Sequence, residues 1–128
     1  PWLDTAAVLR RVRGEGLKGV EFRGVTFTPQ RAGDGKYNDT LLVGIRLHVT
    51  DRSTYDPTLT AVHLLAAIQA VHPDKIGFNP RGFDRLAGTD SLRLALQAGT
   101  PADRIVAGWG AGRQAFLERR KPFLLYPQ

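Results

Sequence analysis

The sequence predicts an α+β domain, a small mixed sheet packed with about four helices, formed by residues 1–128 as a single unit. Three observations lead there. The 128-residue length suits one domain with a core of its own. Two runs in the first half alternate apolar and polar residues with the period of a strand. The second half is a series of capped segments with helical apolar spacing.

In chain order, Asp4 is placed to cap a helix running to about Gly14, with Val8 and Val12 one turn apart. The run 19–27 reads as a strand whose pattern slips at Arg23-Gly24, which predicts a bulge or a bend inside it. Residues 30–40 are polar and glycine-bearing, a long loop of the kind that often carries function. Leu41 to Val49 is the clearest strand: Leu41, Val43, Ile45, Leu47 and Val49 share one face, and Arg46 and His48 the other.

Asp56-Pro57 opens a strong helix ending near His72-Pro73, with Leu64, Leu65, Ile68 and Val71 as its apolar stripe. The reading then gives a short strand at 76–78, a turn at 79–82 and one helical turn at 83–88. A helix follows over 91–98, closed by Gly99. Thr100-Pro101 starts a last helical stretch, which the glycines 108, 110 and 112 would kink. Within it Trp109, with Ile105 and Phe116, is expected to be buried against the sheet. Residues 123–126, between two prolines, read as a terminal strand.

Composition excludes several classes. There is no cysteine, hence no disulfide or thiolate metal site. No apolar run reaches the ~20 residues of a membrane span. The net charge of +6 comes from 14 Arg and 4 Lys. Arg10, Arg11 and Arg13, and again Arg119, Arg120 and Lys121, cluster where helix ends favour cations. An acidic polymer is the alternative partner for this charge. Nucleic acid is not expected, because no aromatics interleave with the basic runs. The chain opens Pro1-Trp2-Leu3-Asp4 and contains no methionine, which reads as the interior of a longer polypeptide.

No complete catalytic constellation is visible. Asp51, Asp56, Asp84 and Asp90 all stand beside turns or helix starts, and no spacing singles out a pair for glycoside hydrolysis. His63 lies within a helix and reads as structural, and the histidines lack the spacing of a metal site. Gly108 to Gly112 lacks the strand and the Lys-Ser/Thr pair of a phosphate loop. No cofactor is implied. The segment His48-Val49-Thr50-Asp51-Arg52 draws attention, since polar residues gather where a strand leaves its sheet. Asp51 and Arg52 could equally serve the loop's own backbone, and Asp84 could simply cap a turn.

Lys36-Tyr37, the run 44–52, the run 83–90 and Phe123-Leu124-Leu125-Tyr126 occur together and in order. In this the chain resembles the carboxy-terminal domain of the bacterial exo-β-N-acetylmuramidases, the family once catalogued as DUF1343. Pro1 to Asp4 resembles that family's interdomain junction, and Phe27-Thr28-Pro29 its first strand end. The chain departs from the family pattern at 33–35 and 38–40, within the polar loop.

The resemblance implies the carboxy-terminal part of an exported two-domain protein, periplasmic or secreted, whose Rossmann-like amino-terminal domain holds the principal catalytic glutamate. The active site would lie in the cleft between the domains, releasing N-acetylmuramic acid from peptidoglycan fragments during wall recycling. Lys36, Tyr37, Arg46, His48, Thr50, Asp51 and Arg52 would then hold the sugar, with an arginine for the lactyl carboxylate. The isolated domain would be inactive. The rival expectation is a non-enzymatic wall-binding or protein-interaction module.

Overall fold

The computed structural model describes residues 2–126. Helix α1 (Thr5–Arg13) starts where Asp4 Oδ1 accepts from the Ala7 N–H at 2.9 Å, satisfying one of the amides that a helix start leaves unpaired. His72 fixes the approach to it. Its Nε2 accepts from the Asp4 N–H at 2.8 Å, which places the ring proton on Nδ1, and Trp2 meets the imidazole edge-on at 5.3 Å. Val8 and Val12 are fully buried, each contributing roughly 1.5–3 kcal/mol. Arg10, Arg11 and Arg13 do fall in the last turn, where Arg13 donates to the Phe22 carbonyl at 2.6 Å.

Strands β1 (Val20–Phe27) and β2 (Leu42–Val49) form one antiparallel pair. The α+β class holds, but the sheet is this pair rather than a mixed sheet. Its register runs unbroken from Val20↔Val49 to Phe27↔Leu42, so the slip at Arg23-Gly24 makes no bulge. Arg23 simply occupies an outward position, and Gly24 lies over Leu9 of α1. Val20 and Phe22 are buried and Ile45 is half-buried, whereas Val43, Leu47 and Val49 stay 37–39% exposed. The apolar face of β2 is therefore as expected in pattern but only partly covered, because α1 lies mainly over β1.

Helix α2 (Pro57–Val71) is the spine. Asp56 caps it, accepting from the Leu59 N–H at 2.9 Å. The expected single stripe is in fact two faces. Leu64, Ala67, Ile68 and Val71 join the cluster of α1 and the strands. Val62, Leu65 and Ala66 join a second cluster built on Leu96, Ala102 and Ile105. A helix clad on two sides reads as apolar nearly all round, which blurs its stripe in sequence.

Around that second cluster stand α3 (Pro80–Ala87), α4 (Ser91–Gln97), α5 (Ala102–Ala107) and α6 (Gly110–Arg120), followed by a 3-10 turn over Lys121–Phe123. Residues 79–82, expected as a turn, are instead the start of α3. Asn79 caps it, accepting from the Gly82 N–H at 3.3 Å, and Pro80 takes the first position. Residues 76–78 are not a strand; Phe78 meets Phe83 edge-on at 4.9 Å. The stretch 102–120 does break into two helices at its glycines. No strand forms at 123–126, where the 3-10 turn gives way to irregular chain.

Trp109 is half-buried against the second cluster, not the sheet, and Phe116 is 53% exposed. Its truncation should therefore cost less than the ~3–5 kcal/mol of a fully buried aromatic. Pro1 of the expected junction and Pro127 of the expected terminal strand lie outside the described residues.

Candidate functional site

The cross-strand register decides which side chains meet. On the face of the hairpin turned away from α1, Glu21 stands opposite His48, Arg23 opposite Arg46, Val25 opposite Gly44 and Phe27 opposite Leu42. Two arginines directly across an antiparallel pair repel one another. Only one has an acidic partner: Arg23 donates to Glu21 at 2.8 Å, and no salt bridge reaches Arg46 among the described residues. That hydrogen bond and the Arg23 charge hold the Glu21 carboxyl below the usual carboxylate range, with smaller help from His48 and Arg13. Arg46 and His48 are exposed. The face is thus graded, cationic toward Val20 and apolar toward Phe27.

Phe27 is the residue that sequence reasoning passed over. It is 48% exposed, and a Cβ at Gly44 would come within 3.2 Å of its Cε1, so the glycine makes room for the ring. Phe27, Gly44 and Arg46 fall on one face, which the register alone reveals. An exposed ring and a guanidinium on one face, four residues apart along the hairpin, suit an extended ligand with an apolar face and a carboxylate.

Beyond Val49 the chain is held by Gly19, whose carbonyl accepts from the amides of Thr50 at 2.9 Å and Asp51 at 3.3 Å. Asp51 turns back on its own loop. It accepts from Ser53 N at 2.8 Å, Ser53 Oγ at 2.7 Å and Thr54 Oγ1 at 3.0 Å. Of the two uses open to Asp51, the geometry displays the loop-forming one; Arg52 is exposed on the turn. The Ser53 hydroxyl, the Ser53 amide and the Thr54 hydroxyl lower the Asp51 pKa, in that order. A depressed carboxylate stabilises above its unfolded pKa and loses that contribution as pH falls through the folded value. The stability gap between wild type and Asp51→Ala should therefore close on acidification from about pH 6 to about pH 2, as read by urea midpoints.

Lys36 and Tyr37 lie at the other end of the hairpin, in the loop from β1 to β2. The Lys36 amide donates to Asp34 Oδ1 at 3.1 Å, and Asn38 Oδ1 accepts from the Ala32 amide at 2.9 Å. Arg31, Tyr37 and Asp39 have φ of 55°, 55° and 57°, unusual for residues with a Cβ. The structure thus groups Arg46 and His48 on one face and Thr50, Asp51 and Arg52 in the turn that follows. It leaves Lys36 and Tyr37 apart: β2 alone spans roughly 24 Å.

Two other polar clusters are architectural. Asp84 takes a forked hydrogen bond from Arg93, Nε to Oδ1 at 2.8 Å and the terminal Nη2 to Oδ2 at 2.9 Å, tying α3 to α4. That bond raises the Arg93 pKa. His63, 3% exposed, lies with Nδ1 3.2 Å from Glu15 Oε2 and Nε2 3.3 Å from Asp103 Oδ1. The Glu15 contact is an ion-pair distance without hydrogen-bond alignment, since Nδ1 has no hydrogen-bond partner. The imidazole joins α2 to the loop after α1 and to the first turn of α5. His63→Ala should cost roughly 2–4 kcal/mol, from the void left at a buried position, measurable as a lower denaturation midpoint.

A two-stranded hairpin backed by α1 and α2, with α3 to α6 beyond, and with an exposed cationic-to-aromatic face, defines a small α+β domain. The family model described as "Exo-beta-N-acetylmuramidase NamZ, C-terminal" matches residues 1–126, and the chain belongs to that family. A relative is the peptidoglycan β-N-acetylmuramidase NamZ of Bacillus subtilis (strain 168), 30% identical over 127 residues. That match covers 98% of this chain and 30% of the Bacillus protein. The fold is similar to the crystal structure of a DUF1343 family protein (BF0371) from Bacteroides fragilis NCTC 9343, with a TM-score of 0.80 at 17% identity. There the match covers 98% of this chain and 34% of the other. The chain thus spans about a third of the length of either relative.

Proposed function

We propose that this domain is the substrate-holding wall of a peptidoglycan exo-β-N-acetylmuramidase. It closes a cleft with an amino-terminal Rossmann-like domain of the same polypeptide, and that domain supplies the principal catalytic glutamate. The observation that carries this reading is the graded hairpin face, where Arg46 has no acidic partner among the described residues and Phe27 exposes its ring. A terminal N-acetylmuramic acid presents both complements: a lactyl carboxylate for the guanidinium and an apolar sugar face for the aromatic. Family membership supports the reaction class. The setting is the cell envelope or the medium, and the role is recycling of wall fragments.

Division of labour is the test. The 128-residue chain alone should give no turnover of a chromogenic N-acetylmuramic acid glycoside, and the longer parent should hydrolyse it. Hydrolysis by the isolated chain, abolished by changing Asp51 or Asp84, would place the chemistry here and sink the proposal.

A further inference from the structure

We infer that α6 and the 3-10 turn after it are the arm by which this domain docks on the rest of its parent polypeptide, against an apolar surface rimmed with carboxylates. The inference rests on the reading that this chain is one domain of a longer enzyme. No residue of α6 is buried, and its main neighbour among the described elements is the turn that follows it. Phe116 is 53% exposed, Phe123 82%, Leu125 89% and Tyr126 80%. Large apolar side chains gathered in one stretch mark an interaction surface rather than a solvated one.

The helix is also a poor one by itself. It opens Gly110-Ala111-Gly112 and has 11 residues, whereas isolated helices shorter than ~12–15 residues are marginal in water even with good formers. Its contacts among the described elements, mainly with the turn that follows, give it little support. Two observations name the occupant. The Bacteroides fold match takes in 98% of this chain, so the arm recurs in a protein of which this domain is only 34%. The arm also carries Arg113, Arg119, Arg120 and Lys121 against a single acid, Glu118, which sits 2.6 Å from Lys121. A partner surface of apolar residues edged by Asp and Glu complements both features.

The experiment is amide hydrogen exchange on the full-length parent and on Phe116→Glu/Leu125→Glu in that parent, with Leu86→Glu as a control at a residue 86% exposed elsewhere. Exchange over 110–120 should speed up by about tenfold or more in the double variant, while β1, β2 and the control stay unchanged. A second variant, Arg113→Glu/Arg119→Glu, should give a smaller loss that shrinks as salt is raised, because salt screens the charge pairing it removes. Unchanged exchange in the double variant overturns the inference, and so does wild-type protection that fades on dilution, which assigns the arm to a second copy. Release of N-acetylmuramic acid, measured on the same preparations, reads the proposed function separately. An active wild type with an unprotected arm defeats the docking alone; a protected arm on an inactive wild type defeats the function alone.

Discussion

Gly19→Ala should destabilise the domain by roughly 3–5 kcal/mol, because it combines backbone strain with a steric clash that breaks hydrogen bonds. Gly19 has φ +70°, where a side chain is itself unfavourable. A Cβ there would stand 2.3 Å from the Asp51 carbonyl oxygen and 2.7 Å from the Tyr55 nitrogen, both backbone atoms that cannot swing aside. To relieve the clash the turn must leave the Gly19 carbonyl, losing the bonds from Thr50 and Asp51. Gly16→Ala is the matched control: its φ is +65° but nothing lies within 4 Å. It should show only the conformational term, about 1 kcal/mol. Urea denaturation of both variants separates strain from collision, and equal losses would show that the turn yields at no cost. If the proposed function holds, Gly19→Ala in the full-length parent should also weaken substrate binding, because the turn it clamps carries Arg52.

How much of this could be read beforehand differs by level. Local signals were sound: Asp4, Asp56 and the glycines at 99, 108 and 110 mark helix boundaries close to those observed. Each acts through a neighbour within a few residues, so the sequence displays both partners. What failed depended on distance along the chain. The Gly19 clamp joins residues 31 or 32 positions apart (Thr50 and Asp51), and no pattern announces it. The slip at Arg23-Gly24 looked like a bulge because period alone cannot tell an inserted residue from an outward charge.

The terminal strand was expected from β-favouring residues at 123–126, but a strand needs a partner edge, and none lies beside it among the described residues. The same holds for Trp109. Helical spacing aligned it with Ile105, yet the Gly108–Gly112 break sends Phe116 on to a different helix. As to the site, the face shared by Arg46 and His48 was legible from strict alternation along one strand. Phe27 was not, since its place on the same face as Arg46 follows only from the register of two strands separated by a 14-residue loop of residues 28–41.

Arg46→Ala in the full-length parent should raise KM for N-acetylmuramic acid substrates by roughly 10- to 100-fold, the loss expected when one charge-assisted bidentate contact goes. The argument begins from the register. Arg23 and Arg46 stand opposite, and Glu21 is already committed to Arg23. The repulsion across the pair is relieved when an anion binds Arg46, so a carboxylate ligand is favoured there twice over, by direct contact and by screening. Arg23→Ala should accordingly do less, because its loss releases Glu21 while leaving Arg46 in place. Phe27→Ala should weaken muramic acid substrates and their analogues lacking the lactyl group alike, since a ring recognises the sugar face that both share. Arg46→Ala should spare the analogue. Arg52, exposed on the turn after Thr50, is the other candidate arginine and serves as the internal comparison. Steady-state kinetics on the two substrates, for each variant, decides the matter. If neither Arg46→Ala nor Arg52→Ala changes the discrimination between them, the carboxylate is held by the other domain, and this hairpin is only a wall of the cleft.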